Sequence, residues 1–98
     1  MDLGFGSGRD SLYFKSKGYD VLAIDPTLEF CEYGIQIGLN VICIKSEDLD
    51  YNNECGGIWA CASLLHVSSK DLNNVFNKCY KALKNNGIMY ASFKYGSF

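Results

Sequence analysis

Short apolar runs alternate with stretches in which apolar residues recur at helical spacing, and the alternation begins at the first residues of the chain. Met1 and Leu3 form an apolar stub, after which glycines at 4, 6 and 8 break the run. Residues 9–17 then follow a helix-like pattern in which Leu12, Tyr13 and Phe14 supply the expected buried stripe, and Gly18 stands where a helix stops. Tyr19-Asp20-Val21-Leu22-Ala23-Ile24-Asp25 is a second apolar run, ending in an acid and buried on both faces as parallel strands between helices are. Pro26 ends that run, Thr27 is placed to cap a helix carrying Leu28, Phe30, Cys31, Ile35 and Ile37, and Gly38 marks the exit.

The second half repeats the theme. Asn40-Val41-Ile42-Cys43-Ile44 predicts a third strand, residues 45–57 a polar connection with few helix cues, and Ile58-Trp59-Ala60-Cys61-Ala62 a fourth strand. Ser68-Ser69-Lys70-Asp71 has the form of a capping box with Ser68 as the acceptor, and Leu72, Val75, Phe76, Cys79 and Leu83 repeat at helical spacing behind it. Asn85-Asn86-Gly87 predicts a turn, and Ile88-Met89-Tyr90-Ala91-Ser92-Phe93 a fifth strand. Strands alternating with helices imply a parallel sheet with right-handed crossovers, hence an α/β domain spanning residues 1–98.

Composition narrows the function without naming it. Hydrophobic residues make up 48% of the 98 residues and charged ones 20%, the balance of an ordinary globular chain. A net charge of -2 provides no basic surface for nucleic acid and no polybasic membrane patch. No apolar run approaches the about 20 residues of a membrane span and no signal peptide precedes the glycines, so the expected location is the cytoplasm. Cys31, Cys43, Cys55, Cys61 and Cys79 form an odd set without a C-x-x-C pair, which favours reduced core thiols over a disulfide framework or a metal site.

The candidate chemistry starts at Asp2-Leu3-Gly4-Phe5-Gly6-Ser7-Gly8. Alternate glycines allow positive φ and a close approach to a ligand, and the order of strand, tight turn and helix is that of nucleotide-binding loops; the plainer reading is a turn with no ligand. Asp25 ends the second strand twenty-one residues after Gly4, near the spacing of about 20 at which such folds set a carboxylate on ribose hydroxyls; alternatively it caps the next helix. The spacing Gly4-x-Gly6-x-Gly8, with Arg9 next, departs from the G-x-G-x-x-G of a dinucleotide loop, and Asp2 at its mouth suits an ammonium better than a pyrophosphate. Those features favour S-adenosylmethionine, which has a ribose and an amino-acid end but no phosphate.

The run from Asp2 to Gly8 resembles the D-x-G-x-G-x-G first motif of class I S-adenosylmethionine-dependent methyltransferases, and Asp25 matches the acid that family places on the ribose. The resemblance implies a cofactor set of Asp2, Gly4, Gly6, Gly8, Asp25 and Pro26, with Ser46, Glu47 and Asp48 at the adenine turn, where Lys45 replaces the usual Asp. The stretch from Ile58 to Val67 is similar to the fourth strand and substrate-side loop, in wording close to small methyltransferases of the tellurite-resistance type, although Gly56 and Gly57 stand where an acid commonly precedes that strand. Ser63 and His66 become the candidate catalytic residues, His66 orienting or deprotonating a small-molecule acceptor; a loop histidine that bonds backbone is the plainer alternative.

Relatives of this kind carry most of the first strand before the glycine motif and further elements after the fifth strand. The expectation is therefore a Rossmann-like core, incomplete at both ends, with strand order 3-2-1-4-5, a stunted first strand, and a fifth-strand edge bearing Tyr90, Phe93, Tyr95 and Phe98. Such an edge predicts a homodimer. Two other functions stay open: a non-catalytic cofactor-binding remnant, and a nicotinamide-dependent oxidoreductase, which the glycine spacing disfavours.

Overall fold

A computed structural model describes residues 1–61 and 68–92 of the protein, with nothing of the Ser69 side chain. The elements are β1 (Asp2–Leu3), α1 (Arg9–Ser16), β2 (Leu22–Ile24), α2 (Leu28–Gln36), β3 (Asn40–Ile42), a 3-10 turn (Ser46–Asp48), β4 (Cys55–Cys61), α3 (Ser69–Ala82) and β5 (Leu83–Ser92). They form one parallel sheet in the order β3-β2-β1-β4-β5, as the alternation of elements predicts.

Neighbouring residues of a strand point to opposite faces, and β2 shows both layers at once. Ala23 packs with Phe5 and Leu39 in one apolar cluster, while Ile24 joins Leu3, Leu49, Ile58, Ala60, Val75, Cys79 and Ala82 in the other. Val75 and Cys79 of α3 are completely buried with Leu72 and Phe76 packed beside them, as the helical spacing predicts; Leu83, the last member of that pattern, is instead the first residue of β5, and Ala82 is the buried residue that ends the helix.

The other two helices keep only part of the apolar set their sequences favour inside: Cys31 of α2 is buried as expected, while most of the rest is not. In α1 the buried position is Ser11, whereas Leu12 and Tyr13 are exposed. In α2 Cys31 and Gly34 face inward, and Leu28, Phe30 and Ile35 lie at the surface. Gly34 is small because it must be: a methyl there would stand 2.9 Å from the Phe5 ring and from Val41. Apolar content alone does not decide which stripe meets the sheet: the small residues Ser11, Cys31 and Gly34 take the inner positions.

Both later strands start earlier than their apolar cores imply. Asn53 in the left-handed region (φ 52) and Glu54 donate their N–H groups to the carbonyls of Lys81 and Ala82 at 2.9 Å, satisfying the end of α3. That contact brings Cys55 beside Leu83, so Gly56 and Gly57 belong to β4 and the chain enters β5 directly from α3. Asn85-Asn86-Gly87 does not separate two elements; it sits where the β4–β5 register shifts, with Asn86 at φ 67. At the start of α3 the expected cap is reversed: the Ser68 hydroxyl donates to the Asp71 carboxylate at 2.9 Å and makes no side-chain cap to the backbone.

The five cysteines are free thiols. Cys31 and Cys79 are core residues as expected, but Cys43 and Cys61 are exposed, contrary to the apolar runs that contain them. Among the described residues no helix is long and apolar enough to cross a membrane.

Candidate functional site

The carboxyl ends of β1, β2 and β3 carry the site. Gly4 turns the chain out of β1 at φ 75 while its N–H and that of Phe5 donate to the Ile24 carbonyl at 2.6 and 3.2 Å, pinning the loop to the end of β2. Phe5 is buried against α2, which anchors the loop from below. Gly8, at φ 84, is the residue from which α1 starts, and its carbonyl accepts the Leu12 N–H at 2.9 Å. A methyl at Gly8 would come within 3.0 Å of Ile37 and 3.1 Å of Leu39, so that glycine serves packing. Gly6 differs: it has φ 55 and no atom lies within 4 Å of where a methyl would project. The upper face of the loop is therefore open at Gly6.

One buried carboxylate, Asp25, lies against this opening, and a second, Asp2, is buried in β1. Asp25 directs Oδ2 to the Gly6 N–H at 3.2 Å and Oδ1 to the Thr27 N–H at 2.9 Å, joining the loop to the entry of α2. Of the two readings the sequence leaves open, ribose binding and helix entry, the Thr27 contact is that of helix entry, and the same side chain also lies against the glycine loop. Since a carboxylate has about four acceptor sites, the two N–H bonds leave capacity for further donors. Pro26 beside it is exposed.

Asp2 is the buried first residue of β1, and its Oδ2 accepts a 2.6 Å hydrogen bond from the Ser11 hydroxyl. Burial pushes the Asp2 carboxyl above its ordinary range, an effect that the Ser11 bond opposes and that the nearby Asp10 charge reinforces. Ser11 is the site residue that the sequence pattern misses. Its one signal is a small polar residue in the first turns of a helix that opens on a glycine loop, which by itself indicates only solvent exposure.

The 3-10 turn of Ser46, Glu47 and Asp48 follows β3 at this same edge of the sheet. Lys78 of α3 donates its ammonium to the Glu47 carbonyl oxygen, fixing the turn. Ser46 and Glu47 are half-buried and Asp48 is exposed. Ser63 and His66 lie outside the described residues.

A second unanticipated contact couples this edge to β4. The Trp59 indole N–H donates to Asp10 in the first turn of α1 at 3.0 Å, and the ring stacks on Tyr90 at 4.2 Å with Phe14 at its edge.

Comparison with known proteins bears on this arrangement. The chain matches the family model described as a methyltransferase domain over residues 1–91. No curated protein sequence matches it. Among solved structures it is similar to a Pyrococcus horikoshii OT3 protein, with a TM-score of 0.84 and 21% identity, over 93% of this chain and 47% of that one. It is also similar to a SAM-dependent methyltransferase of Leishmania major, with a TM-score of 0.80 and 23% identity over 90% of this chain and 39% of that one. A third is the Burkholderia thailandensis 1,6-didemethyltoxoflavin N1-methyltransferase, solved with 1,6-didemethyltoxoflavin and S-adenosylhomocysteine: TM-score 0.72, 24% identity, 85% of this chain and 39% of that one. The chain thus spans less than half the length of these structures. With a family match that covers nearly all of its residues, the chain belongs to the methyltransferase-domain family.

Proposed function

We propose that this chain is the cofactor-binding core of an S-adenosylmethionine-dependent methyltransferase with a small-molecule acceptor. The observation that carries the reading is the Asp25 carboxylate held against the Gly6 N–H beneath an open loop face. The residues fit the group: the uncovered space at Gly6 admits a ligand close to the backbone, Asp25 has acceptor capacity for ribose hydroxyls, and the buried Asp2 charge suits an ammonium. When bound, S-adenosylmethionine supplies a methyl group on a sulfonium, open to in-line displacement.

Around it the chain's own residues orient and shield. Gly4 and Gly8 hold the loop, Pro26 borders the ribose side, and Ser46, Glu47 and Asp48 offer polar contacts for the adenine. Ser63 and His66 are assigned the acceptor side, His66 taking or orienting the acceptor's proton. Alignment and exclusion of water carry most of the rate effect in such a displacement, so a dedicated base is not required. The resemblance to the tellurite-resistance type, a cytoplasmic location and a two-fold homodimer through the β5 edge belong to the same proposal. The dimer is supported by Ile88 and Tyr90, exposed on the outermost strand.

Calorimetric titration of the purified chain with S-adenosylhomocysteine tests the reading. Saturable one-to-one binding with no heat from NADH is expected; absence of binding to S-adenosylhomocysteine would overturn it. Methyl transfer to candidate acceptors then separates an active enzyme from a binding remnant.

A further inference from the structure

Two thiols converge on Asp25, and the packing of α2 on β3 brings them together. Cys31 and Gly34, three positions apart, share the inner face of α2. A methyl at Gly34 would stand 2.9 Å from Val41, so Val41 points from β3 towards that face, and Cys43, two positions further on, points the same way. The Asp25 N–H donates to the Ile42 carbonyl at 3.4 Å, which carries the β2–β3 pairing up to Cys43. Three residues back along the helix and two forward along the strand span similar lengths, about 4.5 and about 6.6 Å, so Cys31 comes over Cys43 as Gly34 does over Val41. The two thiols are hydrogen-bond neighbours.

They differ in access. Cys43 is exposed and Cys31 is buried. Burial, and after it the Cys43 thiol alongside, push the Cys31 thiol up to about 12, so an exchange with an external reagent starts at Cys43. Cys31 is in turn tied to Asp25 by two routes. Its thiol donates to the Asp25 main-chain carbonyl at 3.1 Å. Its N–H donates to the Thr27 carbonyl at 3.0 Å, and the Thr27 N–H holds Asp25 Oδ1 at 2.9 Å.

We propose that Cys31 and Cys43 form a redox-sensitive dithiol, which closes to a disulfide and thereby weakens ligand binding at Asp25; the control of binding rests on the cofactor reading, the disulfide itself does not. The oxidant is a low-molecular-weight disulfide such as oxidised glutathione. Cys43 gives its proton to water and, as a thiolate, attacks one sulfur of the reagent, forming a mixed disulfide and releasing one glutathione thiolate. Cys31 then gives up its proton and attacks the Cys43 sulfur, so that the mixed disulfide breaks and the second glutathione thiolate leaves. Both thiolates take up a proton, which balances the exchange: two protein thiols are oxidised and one external disulfide is reduced to two thiols. The new bond takes the Cys31 sulfur from the Asp25 carbonyl and draws the first turn of α2 towards β3, shifting the Thr27 N–H that orients the carboxylate.

The purified chain is incubated with oxidised glutathione, its remaining thiols are blocked in acid, and cleavage at Glu29, Glu32 and Glu47 puts the two cysteines on separate peptides for mass spectrometry. A linked Cys31–Cys43 pair is expected, with affinity for S-adenosylhomocysteine about fivefold lower, the size of one lost neutral hydrogen bond, and restored by dithiothreitol. Cys43→Ser should bind S-adenosylhomocysteine as the reduced parent does and lose the response to oxidant, while Cys61→Ser, which removes the exposed thiol of β4, should keep it. Oxidation that leaves both thiols free, stops at a Cys43–glutathione adduct or joins Cys43 to any other cysteine would overturn the proposal, as would a linked pair with unchanged affinity. A reduced chain that does not bind S-adenosylhomocysteine refutes the cofactor reading and the control with it, and the linked peptide reports separately whether the disulfide forms.

Discussion

Replacing Ser11 with alanine removes one hydroxyl from a fully buried position and leaves the Asp2 carboxylate without its 2.6 Å donor. Hydrogen bonds to charged groups contribute about 1.5 to 3 kcal/mol, and alanine returns only a few tenths through its better helix propensity. A domain of this size loses about 4 to 8 °C of melting temperature per kcal/mol, so Ser11→Ala should melt roughly 10 °C lower at pH 7.5. The pH dependence separates this mechanism from lost packing. Burial already holds the Asp2 pKa above its unfolded value. An acid in that condition costs stability when ionised, and the cost disappears as pH falls through the folded pKa towards the unfolded one. Removing the hydroxyl raises the folded pKa further. The gap between parent and Ser11→Ala should therefore be full above both folded pKa values and close in acid, where a protonated Asp2 needs no donor. The charges that face Asp2 are those of Asp10, Asp25 and the Met1 ammonium, and they are common to both proteins. Urea melts from pH 4 to 8 measure the gap; an equal gap at every pH would refute the charge-assisted bond. Under the proposed function the variant should also lose S-adenosylhomocysteine binding at a higher pH than the parent does.

Asp25→Asn retains an oxygen for the Thr27 N–H but loses the charge, so cofactor affinity should fall at least tenfold with a modest change in melting temperature, read by calorimetry and thermal melts together. Asp25→Ala is the poorer test, because it also strips the acceptor from both Gly6 and Thr27. Gly34→Ala should cost about 1 to 3 kcal/mol by forcing the Phe5 ring and Val41 apart, whereas Gly6→Ala meets no atom of the chain and should weaken cofactor binding more than it weakens the fold. Alkylation at pH 8 followed by mass spectrometry should label Cys43 and Cys61 first. Cys31 and Cys79 should resist, since burial pushes their thiols up to about 12 and about 11. Sedimentation equilibrium at micromolar concentration should find the two-fold dimer, and Ile88→Lys should shift it to monomer; a monomeric parent would remove the β5 interface.

The amino-acid order alone determines the glycine loop, the acid that follows β2 and the alternation of strand and helix, because each is a local matter: positive φ favours glycine, a uniformly apolar run has no wet face, and parallel pairing follows once strands alternate with helices. Those same local rules find the inner face of α3 at Leu72, Val75, Phe76 and Cys79 and overrun its end at Leu83, which opens β5. They fail for most of α1 and α2, whose apolar residues Leu12, Tyr13, Leu28 and Ile35 are at the surface while the small residues Ser11, Cys31 and Gly34 face inward. Only the folded chain brings Ser11 to Asp2 and Trp59 to Asp10, contacts across 9 and 49 positions that no periodicity encodes. Tertiary structure likewise decides that Asp25 serves the loop and the helix entry together, and that β4 begins at Cys55 because Asn53 and Glu54 satisfy the last carbonyls of α3. Each of these depends on backbone donors and acceptors finding partners far away in sequence, an accounting that closes only in three dimensions.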